Sequence, residues 1–186
     1  IPTMFIRSYG WSIREIGVSY GLLLLICGPV GVLSGGWLAD TLYGRGHKNG
    51  HLMAALIGTL ITFPSAVLTP LMPTAELALG MLVPASIGPA IATATGASSL
   101  VMIVPNQMRG QIAAVYLFVI SILGLTIGPT AVALVTDYVF ADESALCYSI
   151  AIVSFGAALL SIVTLFAALA PYRAAVHESE QWAGAQ

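Results

Sequence analysis

Formal charges divide this chain into five long neutral stretches. No Asp, Glu, Lys or Arg occurs in residues 16–39, 49–75, 77–108, 110–136 and 144–172. Each stretch exceeds the roughly 20 residues that an α-helix needs to cross the hydrocarbon core of a bilayer. Continuous apolar runs such as residues 22–26 do not alternate with polar residues, as the strands of a membrane barrel would. The pattern therefore predicts an all-α membrane protein with five transmembrane helices.

The composition supports lipid as the main solvent of this chain. Of its 186 residues, 58% are hydrophobic and 8% are charged, whereas soluble domains carry about 25% charged residues. No basic stripe indicates a nucleic-acid partner. Cys27 and Cys147 lack the spacing of a metal site or a disulfide. We expect no cofactor and no metal.

Capping and turn residues predict where the helices begin and end. Ser12 and Glu15 have the spacing of a capping box, which marks a helix start. Pro171 is expected to stop the last helix. The predicted helices cover about 13–40, 51–72, 75–104, 110–138 and 144–170, followed by a polar cytoplasmic tail over 171–186. Because the chain starts with Ile1 rather than Met, we expect a fragment.

The distribution of Lys and Arg predicts the orientation in the membrane. If the helices alternate in direction, one side carries Arg45, Lys48, Arg109 and Arg173. The other side carries Glu76, Asp142 and Glu143, together with Arg7 and Arg14. Cytoplasmic loops are enriched in Lys and Arg. The first side, which includes the C-terminus, is therefore expected to be cytoplasmic.

Glycine and proline recur inside the predicted helices. Prolines occupy positions 29, 64, 84, 89 and 129, and small residues repeat every four positions at Gly31 and Gly35, at Gly88, Ala92 and Gly96, and at Gly124 and Gly128. Interior prolines favour kinks, and small residues allow close helix contact in lipid. This pattern is typical of bent helices around a cavity, although static packing would also explain the glycines.

A faint internal repeat relates the first and fourth predicted helices. Gly28-Pro29 precedes Asp40 in one, and Gly128-Pro129 precedes Asp137 in the other. Helices three apart in sequence cross the membrane in opposite directions if the crossings alternate. This relation is typical of inverted-topology repeats in transporters.

Hydroxyl-bearing residues cluster in the third and fourth predicted helices. Candidate substrate-binding residues are Tyr20, Thr93, Ser98, Tyr116 and Thr126. Such hydroxyls can border a water-filled path, but they can equally bond to their own helix. No ionisable residue falls near a predicted midplane, so a titrating carboxylate for proton coupling is expected outside this sequence.

A charged motif follows the first predicted helix. Gly36, Asp40, Gly44, Arg45 and Lys48 resemble the G-x-L-A-D-x-x-G-R-x-x-K signature of the major facilitator superfamily, with one extra residue between Asp40 and Gly44. The turn Pro105–Gly110, which contains Arg109, is similar to a second loop of that family. By resemblance, these motif residues and Arg109 form a cytoplasmic gate.

The resemblance covers the chain from end to end and carries several further expectations. It implies the C-terminal half of a twelve-helix fold, from the end of helix seven through helix twelve, which pairs with a missing N-terminal half. The implied activity is symport or antiport of a small-molecule substrate across a bacterial inner membrane, and a coupling ion stays open. Spinster-like lipid transporters and organic-anion symporters are both similar.

Two other functions stay open at this point. Gly96-Ala97-Ser98-Ser99 superficially resembles the serine turn of an intramembrane protease. Nucleophilic catalysis needs a base within hydrogen-bond reach, and His47, His51 and His177 are poorly placed for Ser98. We therefore expect no enzyme. A membrane scaffold without transport activity is the remaining alternative.

Overall fold

The protein is a bundle of long helices. The computed structural model describes residues 1–140 and 146–184, with side chains up to residue 177. The α-helices of this part are α1 Pro2–Tyr9, α2 Ile13–Gly44, α3 Gly50–Leu68, α4 Ala75–Met102, α5 Arg109–Ile122, α6 Gly128–Leu134 and α7 Leu146–Gly184. The sequence predictions for Asp142, Glu143 and the helix start at 144 fall outside the described residues.

Five helical segments are long and apolar enough to span a membrane, which confirms the predicted fold class. The spans are Ile13–Gly44, Gly50–Leu71, Ala75–Met102, Asn106–Phe140 and Leu146–His177, and we call them the first to fifth span. The end of the bundle with the 45–49 loop is called the inner end. The opposite end, with the 69–74 turn, is the outer end.

The first span begins as its capping residues predict. The Ser12 hydroxyl accepts a hydrogen bond from the Glu15 amide at 3.2 Å, and the Ser12 amide donates to the Glu15 carboxylate at 2.9 Å. Together the two bonds satisfy backbone donors that a helix start leaves unpaired. The helix then continues to Gly44, one turn beyond the predicted end near residue 40.

Close packing of glycines holds the second and third spans together. Gly58 and Gly88 face each other so tightly that a Cβ atom on Gly58 would lie 2.7 Å from the Gly88 carbonyl oxygen. A Cβ atom on Gly88 would collide with the Thr62 hydroxyl and the Gly58 carbonyl. Small residues permit this backbone approach, which gains van der Waals contact in lipid. The sequence pattern pointed to Gly88 but not to its partner Gly58.

The first span also packs against the third through close contacts at glycines. A Cβ atom on Gly31 would lie 2.6 Å from the Ala90 side chain, and one on Gly35 would lie 3.1 Å from the Ile91 backbone. These contacts agree with the predicted close approach at Gly31 and Gly35. In contrast, Gly124 and Gly128 have no atom within 4 Å of an added Cβ. Their predicted contact is therefore not made within the described part of the chain.

Helix α1 closes the outer end of the bundle. Met4 and Phe5 are fully buried against the first and third spans. The Tyr9 hydroxyl donates a hydrogen bond to the Met72 carbonyl at 2.6 Å. Burial raises the pKa of Tyr9, so this hydroxyl keeps its proton at neutral pH. Ser8 meets the fifth span, with 3.2 Å between its Oγ and the Cys147 Sγ.

The structure corrects the prediction that Pro171 ends the last helix. Helix α7 passes through Pro171 and continues to Gly184. Proline removes one backbone hydrogen bond but does not end a helix that tertiary contacts hold in place. Such contacts exist here, because Tyr172 and Val176 are 8% and 2% exposed.

We predict that Gly88→Ala destabilises the protein through overpacking against backbone and Thr62. Overpacking of this kind typically costs about 1–3 kcal/mol. Gly80→Ala, at a helical position with open space, is the matched control and should be neutral or slightly stabilising. Thermal unfolding in detergent measures both variants. Equal unfolding midpoints of the two variants would contradict the close contact between Gly58 and Gly88.

We also predict that Ser8→Cys forms a disulfide with Cys147 under mild oxidation, because the two side chains already touch. After cleavage at a protease site engineered between residues 9 and 146, the disulfide would keep the two fragments joined until a reductant is added. Ser19→Cys, placed on the first span, serves as the control. Separation of the Ser8→Cys fragments without reductant would place α1 elsewhere.

Candidate transport path and inner motif

The inner motif lies on the last turns of α2 and the loop that follows. Gly36 and Asp40 are exposed, and Gly44 is the last residue of the helix. The backbone N–H of exposed Arg45 bonds to the Thr41 carbonyl at 3.1 Å and thereby caps the helix. Gly46 follows with a φ of 88°, a left-handed conformation that glycine adopts without strain. The motif thus forms the exposed rim of the inner end.

His51 on α3 is the electrostatic neighbour of Asp40. Its ring stands edge-on to Tyr43 with centroids 6.1 Å apart. Its Nδ1 atom is buried and has no hydrogen-bond partner in the described structure. Sequence reasoning treated His51 only as a distant catalytic base. Its position as the second residue of α3, near Asp40, was not readable without the pairing of α2 and α3.

Lys48 and Arg109 complete the predicted gating set. Lys48 is half-buried in the loop and has an interaction partner in the structure. Arg109 is exposed and begins α5, directly after the loop that ends the third span. The structure therefore places the motif residues at the inner end, on the last turns of α2, in the loop that follows it and at the start of α5.

Tyr116 joins the third and fourth spans. Its hydroxyl points to the Thr93 carbonyl oxygen at 3.4 Å, a long hydrogen bond. A Cβ atom on Gly96 would lie 2.7 Å from the same hydroxyl. The absence of a side chain at Gly96 thus leaves room for the ring. Of the predicted substrate residues, the structure brings Thr93 and Tyr116 together.

The other predicted substrate residues lie apart from this pair. The exposed Ser98 hydroxyl donates to the Ala94 carbonyl of its own helix at 3.0 Å. Tyr20 is half-buried against the outer core that contains Phe5 and Leu82. Thr126 is exposed on the fourth span, and its carbonyl accepts a hydrogen bond from Thr130 at 2.6 Å.

The fourth span departs from regular α-helix on both sides of Pro129. Leu123–Ile127 and Val135–Phe140 are π-helical and flank α6. Proline 129 has no N–H for the Leu125 carbonyl, and the wider i→i+5 pattern of a π turn supplies another donor. The extra residue in each π turn also shifts the side-chain register. Tyr116 and Thr126 are therefore separated by a change of register that a regular α-helix would not contain.

The fourth span is also the least buried. Within the described structure, none of the 18 most apolar consecutive residues of the fourth span is buried. In the second span, a third of the corresponding residues are buried. It touches the third span near Tyr116 and the fifth span near its outer end. A helix this open has large faces available to lipid, water or another protein segment.

A cavity of about 520 Å³ lies at the outer end between α1, the fourth span and the fifth span. Its charged lining side chains are Arg7 and Asp137, and Val132, Leu146 and Ile150 contribute apolar surface. In the sequence Asp137 lies near the end of the predicted helix 110–138, far from Arg7. Only the folded position of α1 brings the two residues to one cavity.

Comparisons with known proteins agree with this architecture. No family model matches the chain. It is 30% identical over 178 residues to an "MFS-type efflux pump" of Mycolicibacterium smegmatis, covering 92% of this chain and 40% of that protein. Its structure matches a bacterial homologue of the human lysosomal transporter Spinster in an inward-facing, unoccupied conformation. That match has a TM-score of 0.59 and 21% identity and covers 96% of this chain and 43% of the other.

These relatives bear on the class of protein. Both are named as transporters or pumps, and neither is an enzyme. The expectation that the chain is not an intramembrane protease is therefore confirmed. The chain spans about two fifths of the length of each relative. On the matched sequence and the shared fold together, the chain is similar to part of a major facilitator superfamily transporter and has the fold of that part.

Proposed function

We propose that this chain is the C-terminal half of a secondary active transporter that moves a small organic or lipid-like solute by alternating access. The observation that carries the proposal is the match of nearly the whole chain to part of two transporters. In this class of protein, solute binds near the midplane between two halves that rock against each other. A second half of the same protein would supply the other wall of the path.

The open fourth span supports a role as a wall of the solute path. Its two π-helical turns and Pro129 lie in the middle and outer part of the span. Single π turns occur frequently at functional sites, and interrupted helices form the binding sites of many transporters. We assign to this span the surface that faces the other half.

Five side chains are proposed to contact the solute. Tyr116 and Thr126 belong to the fourth span, Thr93 and Ser98 to the third, and Tyr20 to the first. The Tyr116 hydroxyl makes only a long hydrogen bond, and Thr93 and Thr126 are exposed, so these groups can accept a new partner. A coupling ion, if one takes part, would bind outside this set.

The inner motif is proposed to act as a gate. Asp40 at the end of the first span, Arg45 and Lys48 in the next loop, and Arg109 at the start of α5 carry the charges. Gly36 and Gly44 leave exposed backbone beside Asp40. Contacts of these charges with the other half would favour one access state over the other.

The membrane and the orientation are part of the same proposal. We infer a bacterial plasma membrane, with the inner end and the C-terminus in the cytoplasm. The support is the excess of Lys and Arg at that end.

Water accessibility tests the path directly. In the full-length protein with Cys27 and Cys147 replaced by serine, Thr126→Cys should react with a water-soluble maleimide, because a wall of the path meets water. Phe166→Cys on the fifth span is the control. Phe166 is also well exposed, but we assign its surface to lipid. A cysteine thiol in lipid does not ionise to the reactive thiolate, so Phe166→Cys should react at least about tenfold more slowly than Thr126→Cys.

A transported solute should slow labelling of Thr126→Cys by occupying the path. Equal labelling of both positions, or no labelling of either, would remove the fourth span from the path. A membrane scaffold without transport activity would show no solute effect.

Orientation can be tested in intact cells. An impermeant maleimide added outside should label Arg14→Cys at the outer end, and it should reach His47→Cys at the inner end only after permeabilisation. Both native residues are exposed in loops or at a helix start. The reverse pattern would place the C-terminus outside and overturn the proposed topology.

A further inference from the structure

The inner end of the third span receives a cap from another helix. The last four carbonyls of an α-helix lack donors within the helix. Helix α4 ends at Met102, and the Ile103 amide bonds to the Leu100 carbonyl at 3.4 Å, so it does not serve Ser99. The Tyr172 hydroxyl donates to the Ser99 carbonyl at 2.9 Å in a buried position. A side chain 73 residues away thus satisfies this backbone group.

The same part of α7 is anchored by apolar packing. Tyr172 and Val176 are one helical turn apart and therefore lie on one face of the helix. Both pack against Leu52 of the second span, with Ile103 and Leu169 at the edge of the cluster. Val176 is 2% exposed, although it lies beyond the proline that was expected to end the helix. Second, third and fifth spans are thus joined at their inner ends.

This junction lies beside the last turn of α2 and at the start of the loop that leads to Arg109. Tyr43, on the last turn of α2, is an electrostatic neighbour of Tyr172 and stacks edge-on against His51. Ile103 begins the loop that leads through residues 104–108 to Arg109. A shift of Tyr172 would therefore move the end of the third span and the loop that follows it.

We propose that Tyr172 and Val176 form a clamp that positions the inner end of the third span and the loop carrying Arg109. Tyr172 acts as a positioning residue through its hydrogen bond to the Ser99 carbonyl and its packing against Leu52. The clamp makes the inner ends of the second, third and fifth spans move as one body. The expected effect of the clamp on transport rests on the proposed function. Its expected effect on the loop that carries Arg109 does not.

The test uses a reporter in the loop. Gln107→Cys, at an exposed position, is introduced into the full-length protein with Cys27 and Cys147 replaced by serine, and its reaction rate with a maleimide is measured. Tyr172→Phe keeps the ring and removes only the hydrogen bond. Loss of one hydrogen bond should raise the reaction rate roughly twofold to tenfold. Val176→Ala, which keeps the bond and removes packing, should also raise it.

Controls separate positioning from general destabilisation. Tyr148→Phe removes an exposed hydroxyl from the outer part of the same helix and should leave the rate unchanged. An Arg14→Cys reporter at the outer end should not respond to Tyr172→Phe. An unchanged Gln107→Cys rate in Tyr172→Phe would overturn the clamp, and so would an equal rise at both reporters.

Transport provides an independent readout. In vesicles with equal amounts of folded protein, Tyr172→Phe should lower the maximal rate and leave the KM for solute unchanged, because the clamp lies away from the path. If the unaltered protein moves no solute, the proposed function is wrong. The reaction rates of Gln107→Cys would still show whether the clamp positions the loop. A changed KM with an unchanged loop rate would place Tyr172 in the path and overturn its positioning role.

Discussion

The architecture depends on how closely the third span approaches its neighbours. Lipid tails are as apolar as leucine, so helices in a bilayer gain little from hiding apolar surface and associate mainly through close contact. Gly88 meets the second span at Gly58, and Ile91 meets Gly35 of the first. Gly96 accommodates Tyr116 of the fourth span. The third span is therefore held against the first, second and fourth spans by close contacts at small residues.

Hydrogen bonding follows the same constraint. Hydrocarbon offers no partner to a backbone group, so every carbonyl and amide within the membrane must be paired in the protein. Many hydroxyls bond to their own helix, as Thr95 does to Ile91 and Thr62 does to Gly58. Where a helix ends inside protein, a side chain from another helix can complete the pairing, as Tyr172 does. Buried hydroxyls in this bundle are thus largely structural, whereas the exposed hydroxyls of Thr93, Ser98 and Thr126 are among the candidates for solute contact.

The neutral stretches were sufficient to predict five spans, because crossing a bilayer imposes a length and a lack of charge on each segment. The capping box at Ser12 and the close contacts of Gly31 and Gly35 were also readable, since both depend on local spacing. The partner of Gly88 and the continuation through Pro171 were not. Each depends on which helices become neighbours, and a pattern within one helix does not contain that information. The spacing of Tyr116 and Thr126 also did not reveal the π turn Leu123–Ile127, which contains Thr126.

Hydrogen–deuterium exchange of the full-length protein in lipid nanodiscs tests the central claim most directly. Amide exchange reports local opening and access of water to each segment. If the contact between Gly58 and Gly88 is the most closely packed part of the bundle and the fourth span borders a water-filled path, amides around Gly88 should exchange slowest. Those in Leu123–Ile127 should exchange fastest among the membrane segments. Equal protection of both segments, or faster exchange around Gly88, would contradict this account.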